Sequence, residues 1–247
     1  MIGMLRLLSL VVLMLPVAVL AEPGIAAIQV QNDQNGGQTY TLSIQVLAIM
    51  TAIGFLPALL MAMTSFTRIL IVLAILRQAL GTMQSPSNQI LVGLSLFMTF
   101  FVMSPVFSDV YTNAVEPYMA DEMGTLDAVK RASVPFHEFM VAQTRQTDLD
   151  MFAQISEAEP VDSAEDIPFS LLLPAFMTSE LKTAFQIGFM ILIPFIVLDL
   201  VVASLLMSMG MMMLSPMIIS LPFKIMLFVL IDGWPLIMGT LASSFYV

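Results

Sequence analysis

Residues 204–224 of this chain read SLLMSMGMMMLSPMIISLPFK. Six methionines fall within the eleven positions from 207 to 217, at positions 207, 209, 211, 212, 213 and 217. Methionine is unbranched and polarisable, so it fills spaces whose shape changes. Two prolines, Pro216 and Pro222, and one lysine, Lys224, interrupt the apolar run that follows. The stretch therefore predicts a turn between two apolar helices, where the methionines either fill gaps at the junction or form a soft seal.

Long apolar segments lie on both sides of this turn. The chain of 247 residues is 59% hydrophobic and only 11% charged, with less polar surface than a soluble domain of that length requires. The composition therefore predicts an integral membrane protein with an all-α fold of hydrophobic helical hairpins, and hydropathy gives four spans. The apolar segments cover residues 42–63, 66–80, 89–106, 179–209 and 217–231.

The N-terminus carries the pattern of a secretory signal peptide. Arg6 precedes an apolar core, and Val19-Leu20-Ala21 offers a small residue at the cleavage site. We expect cleavage after Ala21, with an uncleaved first membrane helix as the alternative. The expected organisation of the chain is a signal peptide (1–21), a flexible lead (22–41), a first pair of apolar helices (42–107), an acidic helical insert (108–168) on the periplasmic side and an apolar hairpin with the methionine turn (169–247).

The acidity of the chain belongs to the insert. Between Asp109 and Asp166 there are thirteen acids and three bases, which gives −10, the net charge of the whole chain. We expect no nucleic-acid partner, because no basic surface is available to neutralise phosphates. The acids from Asp148 onward lack the spacing of a calcium loop and are interpreted as a hydrated linker. His137, beside Glu138, is predicted to be a surface residue, and no metal or cofactor is expected.

Several ionisable residues fall inside the apolar segments, where charge is costly unless it is paired. Asp199 and Lys224 reach similar depth if the chain folds back at the methionine turn, so we expect Lys224 to pair with an acid. Asp199 is the candidate within the chain, while Glu180 and Asp232 are candidates from a neighbouring copy. The alternative is that these helix ends are simply in water. Two further helix charges, Arg68 and Arg77, are nine positions apart and should lie on opposite sides of a helix.

Three long strings resemble the FliP family of the flagellar type III secretion export gate. They are FTRILIVLAILRQALGTMQSPSNQILVGLSLFMTFFVMSPV (66–106), PAFMTSELKTAFQIGFMILIPFIVLDLVVASLLMSMGMMMLSP (174–216) and ISLPFKIMLFVLIDGW (219–234). The resemblance extends over nearly all of residues 42–247. One departure is Ser215-Pro216, where the family usually has two adjacent prolines, and it leaves the turn geometry open.

The resemblance implies a role in a large assembly. Proteins of this family form a helical oligomer of several copies with FliQ-like and FliR-like subunits, and an FlhB-like protein associates with its base. The assembly lies in the bacterial inner membrane at the flagellar basal body, partly raised into the periplasm. Unfolded flagellar proteins pass through its pore. In the family a methionine-rich loop seals the closed pore, and here that loop maps onto Met209, Met211, Met212 and Met213.

A proton-coupled transporter and an enzyme are the two alternatives to a gate. A proton-coupled transporter with Asp199 as the carrier is a legitimate reading of an intramembrane acid, although the internal repeat that such carriers often show is missing from the sequence. An enzyme is not expected, because the apolar segments contain no cysteine, no histidine–carboxylate cluster and no serine with a credible base. A P-loop is also absent from the sequence, so we expect no nucleotide hydrolysis.

Overall fold

The computed structural model describes residues 28–32, 38–42, 44–82, 84–157, 166–211 and 214–245. The chain divides into two compact units, residues 1–57 and 58–247. The expected signal peptide lies outside the described residues. The prediction of an all-α fold is confirmed, since helices make up most of the described chain and the second unit is helical wherever it has regular structure.

The first unit contains a β-hairpin ahead of its helix. Strand β1 (Ile28–Asn32) pairs antiparallel with β2 (Gln38–Leu42), in a register that runs from Ile28 opposite Leu42 to Asn32 opposite Gln38. Both strands lie within residues 22–42, most of which the sequence predicted to be a flexible lead. Alternation of apolar and polar residues in IQVQN and the β-formers of QTYTL favour strands, with Asn35-Gly36-Gly37 between them in the sequence. Helix α1 (Ile44–Ala62) follows the hairpin.

The second unit is a set of helices and one short π-helical segment. Helix α8 is the longest, and it continues through both Pro174 and Pro194. The elements are α2 (Phe66–Ala79), α3 (Asn88–Val102), α4 (Ser104–Val110), a π-helix (Tyr111–Val115), α5 (Glu116–Met119), α6 (Thr125–Gln143), α7 (Gln146–Ile155), α8 (Phe169–Ser208), α9 (Pro216–Leu230) and α10 (Gly233–Ser243).

Helix α2 forms the centre of the main core. Its residues Ile69, Val72 and Leu73 have no exposed surface, and they cluster with apolar side chains from α3, α8, α9 and α10. Helix α2 packs tightly against α8 at Gly188, where an added Cβ would lie 2.4 Å from Ile75 Cδ1. A glycine there lets two helices pack more closely than a larger residue would allow. The pairing of Ile75 with Gly188, and of Arg68 with Glu180, shows that α2 and α8 run in the same direction.

A second, smaller core joins the acidic insert to the start of α8. Met140, Leu172 and Phe176 are fully buried in it. His137 was predicted to be a surface residue, but it is half-buried and its Nε2 lies 2.7 Å from the carbonyl oxygen of Ile167. The ring of His137 makes a T-shaped contact with Phe169, and this contact explains why the imidazole is half-buried at the edge of the second core. The insert is therefore a packed part of the second unit.

The helices of the insert account for a further difference from the sequence analysis. Helix α6 continues through Pro135, and α7 follows it. Asp148 was assigned to a hydrated linker, but it lies in α7 and is only 7% exposed. Its Oδ2 accepts a hydrogen bond from Ser179 Oγ at 2.7 Å, which places the carboxylate against α8 instead of in water.

The structure contains long apolar helices, as hydropathy predicts, but not every predicted span is one continuous helix. Within the described ranges, α8 is the one helix long and apolar enough to cross a membrane by itself. The number of spans rises to as many as four if each bent pair of helices counts as one. Two such pairs lie wholly in the second unit: α3 with the segment 104–119 bends by 61°, and α9 with α10 bends by 65°. The four spans from hydropathy match this upper number.

Candidate functional site

The turn between α8 and α9 is shaped by a glycine that the sequence analysis did not single out. Gly210 has a φ of +75° and follows the last residues of α8. Its N–H donates to the Met207 carbonyl at 3.1 Å, and the N–H of Met211 donates to the Leu206 carbonyl at 3.0 Å. This pair of bonds is a Schellman motif, which needs a left-handed residue at that position. A glycine directly after an apolar helix was a usable sequence indication of it.

The methionines of this turn are exposed to different extents. Met209 is 68% exposed, whereas Met211 is half-buried. Met207 and Met217, which flank the turn on α8 and α9, are also exposed. Met212 and Met213 lie outside the described residues. The described part of the turn therefore presents thioether side chains at the tip of the hairpin that α8 and α9 form.

The structure brings Lys224 and Asp199 together across this hairpin. Lys224 Nζ donates to Asp199 Oδ2 at 2.6 Å, and Ser220 Oγ donates to Asp199 Oδ1 at 2.5 Å. The lysine side chain is 5% exposed and that of the aspartate 38%. Of the three acids that the sequence left open as partners, Asp199 is the one in contact. Ser220 lies one helical turn before Lys224, a spacing that could have indicated its role.

Charge exchange tests whether this pair holds the hairpin together. Lys224→Glu places two carboxylates where one ion pair was, and we expect it to lower the free energy of unfolding by about 2 kcal/mol, less than for a fully buried pair because Asp199 is partly exposed. Combining it with Asp199→Lys should restore most of the loss. The measurement is the unfolding midpoint of the purified chain in detergent. If the double variant is no more stable than Lys224→Glu alone, the pair does not carry this role.

A second buried charge centre surrounds Arg68, which is 2% exposed. Its Nε donates to Glu180 Oε2 at 2.8 Å and one terminal nitrogen donates to Glu180 Oε1. The guanidinium also donates to Gln143 Oε1 at 3.1 Å and to the carbonyl oxygen of Ser244 at 2.8 Å. Its Cζ lies 3.8 Å from the centre of the Phe245 ring. Arg68 thus joins α2, α6, α8 and the residues that follow α10.

The other sequence candidates lie in different places. Glu180 was expected as a partner for Lys224 of a neighbouring copy, but it is fully buried against Arg68 of its own chain, where the bidentate guanidinium satisfies both oxygens. Arg77 faces a different neighbour from Arg68, and donates to Asn88 Oδ1 at 2.6 Å and to the Pro86 carbonyl at 3.3 Å. Asp232 is exposed, with a φ of +49°, at the start of α10.

Sequence reasoning missed a polar network between α7 and α8. The N–H of Arg145 donates to Ser179 Oγ at 3.0 Å, and its guanidinium donates to Gln186 Oε1 at 2.6 Å. Together with Asp148 these residues attach the insert to α8 next to Glu180. In the parts of the chain that the structure describes, no group of three or more His, Cys, Asp or Glu side chains could hold a metal ion. The arginine, serine and glutamine of this network therefore bind one another across the α7–α8 contact.

The sequence is similar to those of several known proteins. The profile of the FliP family matches residues 49–241, which include both ion pairs and the methionine turn. Flagellar biosynthetic protein FliP of Pectobacterium carotovorum subsp. carotovorum is 56% identical over 91% of this chain and 86% of its own length. The protein of that name from Bacillus subtilis is 51% identical, covering 82% and 92%. The one from Caulobacter vibrioides is 43% identical, covering 94% and 85%.

The family of these relatives consists of structural components of the flagellar export apparatus and not of enzymes. The apolar helix α8 is consistent with a membrane-associated member of that apparatus. A family match over most of the chain, together with identities of this size, leaves no other assignment: the chain belongs to the FliP family.

Proposed function

We propose that this chain is a core subunit of the flagellar type III export gate. Several copies assemble with FliQ-like and FliR-like subunits into a pore, and an FlhB-like protein binds at the base. Unfolded flagellar proteins pass through the pore, which lies in the bacterial inner membrane with parts raised into the periplasm. Met209, Met211, Met212 and Met213 line the closed pore and seal it.

The main observation behind this proposal is that exposed methionines lie at the turn of a hairpin whose two helices are joined by an ion pair. Met209 is 68% exposed at the turn, while the helices behind it are tied by the Lys224–Asp199 pair. A seal needs such a rigid support, because a side chain closes a pore only if its backbone is held in place. An exposed apolar tip has no stabilising role in an isolated chain, so we infer that other copies complete its surroundings.

Methionine suits a seal that must open for many different chains. Its three rotatable bonds and polarisable sulfur let it pack against changing surfaces, whereas leucine is stiffer and a charged ring would select among substrates. An apolar constriction also excludes ions when the side chains meet, as in pores that close by dewetting. These properties match a gate that passes unfolded polypeptides and holds back ions.

Large apolar surfaces on the helices support assembly. Three large side chains on α8 are each at least 60% exposed: Phe185, Phe189 and Met190. Phe97 on α3 and Ile218 on α9 are each more than 70% exposed. Exposure on this scale does not persist in water, so protein neighbours or lipid must cover these faces. The buried charge centres inside the same unit explain how apolar helices can carry ionisable residues at all.

The structure gives less support to a proton carrier at Asp199. Both of its oxygens accept hydrogen bonds, one from Lys224 and one from Ser220. Asp199 is thus already used to join α8 to α9, which accounts for an acid in an apolar helix without a carrier role. We therefore retain the gate as the proposed function.

Replacing the methionines of the turn tests the seal. We expect the variant with alanine at Met209, Met211, Met212 and Met213 to assemble with its FliQ-like and FliR-like partners and to leak ions several-fold faster across the host membrane. Alanine removes the side-chain volume that fills the constriction but leaves Gly210 and the Schellman motif in place. The measurements are copurification of the complex and membrane conductance.

A matched control distinguishes the methionines of the turn from an exposed methionine elsewhere in the chain. Met119, in the acidic insert, is 73% exposed, and Met119→Ala should leave ion leak unchanged. If the turn variant assembles and conducts no more than the native complex, these residues do not seal the pore. If only the assembly is lost, the turn acts in packing between subunits, and the sealing role is again refuted.

A further inference from the structure

A cavity of about 670 Å³ lies beside the Lys224–Asp199 pair, between α2, α8 and α9. The residues that line it change from apolar to polar along α2. Near the middle of that helix the wall is apolar, and beyond it, at the C-terminal end, the wall is polar. The apolar wall includes Ile71, Ile75, Leu192 and Ile196, and the polar end includes Arg77, Thr82, Asp199 and Lys224.

The polar end of the cavity lies at a defined depth along α8. Glu180 and Asp199 are nineteen residues apart on this one continuous helix, which corresponds to about 28 Å at the usual rise of an α-helix. That length is close to the hydrocarbon thickness of a bilayer, about 30 Å. The two acids therefore cannot both lie at the centre of a bilayer that α8 crosses, and at least one of them lies toward a headgroup layer.

The polar end carries an excess of positive charge. Lys224 and Arg77 supply two cations, and Asp199 supplies one anion. Lys224 has three N–H donors, and within the described chain one of them is used, toward Asp199. Arg77 donates through one terminal nitrogen to Asn88 and Pro86, and no bond from its other nitrogens is seen in the described residues. Several donors of both cations thus remain for an anion.

We propose that this cavity binds an anionic phospholipid. The phosphate accepts hydrogen bonds from Lys224 and Arg77, and an acyl chain lies along the apolar wall of α2 and α8. Basic pockets between membrane helices are recognised sites for anionic headgroups. A free phosphate ion would use the cations and leave the apolar wall empty, whereas a phospholipid matches both halves of the lining. Gly81, with a φ of +77°, lies at the rim next to Lys224.

The proposal is tested on the full chain purified in detergent. Phosphatidylglycerol, phosphatidylcholine or inorganic phosphate is added, and the midpoint of thermal unfolding and the amount of bound lipid by native mass spectrometry are measured. We expect phosphatidylglycerol at a tenfold excess over its dissociation constant to raise the midpoint by about 4 °C. Phosphatidylcholine and inorganic phosphate should give little or no increase.

Two variants that each lose one positive charge show where the lipid binds. Arg77→Gln should weaken phosphatidylglycerol binding by about fivefold, the usual effect of one cation near anionic lipid. Lys182→Gln is the matched control, because Lys182 lies on α8 with its side chain half exposed and outside the cavity lining, and it should bind lipid as the native chain does. Arg77→Lys keeps the charge and should retain most of the affinity.

Several outcomes would overturn the proposal. Equal stabilisation by both lipids would show apolar packing without headgroup recognition, and stabilisation by inorganic phosphate alone would show a site for free anions. Equal losses in Arg77→Gln and Lys182→Gln would place the lipid elsewhere. If the complex with FliQ-like and FliR-like subunits carries no lipid and chemical crosslinking joins Lys224 to a carboxylate of a neighbouring copy, the cavity is a protein–protein contact. This last outcome leaves the gate function intact.

Discussion

Arg68→Ala is expected to prevent the chain from reaching a stable fold. The substitution leaves the carboxylate of Glu180 fully buried without its cation, and it removes the donors that Gln143 and the Ser244 carbonyl accept from. Loss of one partner of a buried ion pair costs about 3–5 kcal/mol, which is a large part of the stability of an ordinary domain. The measurement is the amount of folded chain in the membrane and its unfolding midpoint after purification.

Two further variants identify the reason for that loss. Arg77→Ala removes the same side chain nine positions later on the same helix, where it is half-buried and bonds to Asn88, so it should cost much less. Arg68→Met combined with Glu180→Leu replaces both charges by apolar groups and should recover much of the stability. If Arg68→Ala and Arg77→Ala are equally stable, or if the double variant is as unstable as Arg68→Ala, the stranded charge is not the cause.

The two charge centres show what the sequence could and could not predict. Lys224 and Asp199 flank a turn that is recognisable from its glycine and proline, so their similar depth follows from counting residues along two helices. Arg68 and Glu180 are 112 positions apart. Their contact depends on the parallel packing of α2 against α8, which no local pattern specifies. Glu180 therefore looked available to a neighbouring copy, although its own chain already satisfies it.

The boundaries of the helices were predictable where local chemistry sets them, and less so where packing does. Gly81, with its positive φ, follows the end of α2, and a glycine after an apolar run is a local indication of such an end. Pro135 disfavours a helix interior, yet α6 continues through it because Met140 is buried in the second core and Phe139 packs against both cores. The same packing draws His137 and Asp148 inward. Tertiary contacts thus outweighed the polar composition of the insert.

Gly188→Leu is expected to separate α2 from α8 and to destabilise the second unit by about 3 kcal/mol or more, the range of severe overpacking. A Cβ at this position already lies 2.4 Å from Ile75 Cδ1, 3.1 Å from its Cγ2 and 3.2 Å from its Cβ. Cδ1 and Cγ2 of Ile75 move when its χ1 changes, but its Cβ is fixed to the backbone of α2 and leaves no room for a whole leucine side chain, so the helices themselves must move. The unfolding midpoint of the purified chain measures the effect.

The displacement should also reach beyond the glycine, because Gly188 lies between the Arg68–Glu180 contact and the Lys224–Asp199 pair along α8. A helix pushed outward there strains both ion pairs, and ion leak should rise along with the loss of stability. Gly93→Ala is the matched control, since nothing lies within 4 Å of its added Cβ and alanine favours α3. Ile75→Ala combined with Gly188→Ala should recover the close packing. Equal behaviour of Gly188→Leu and Gly93→Ala would mean that the two helices do not need this contact.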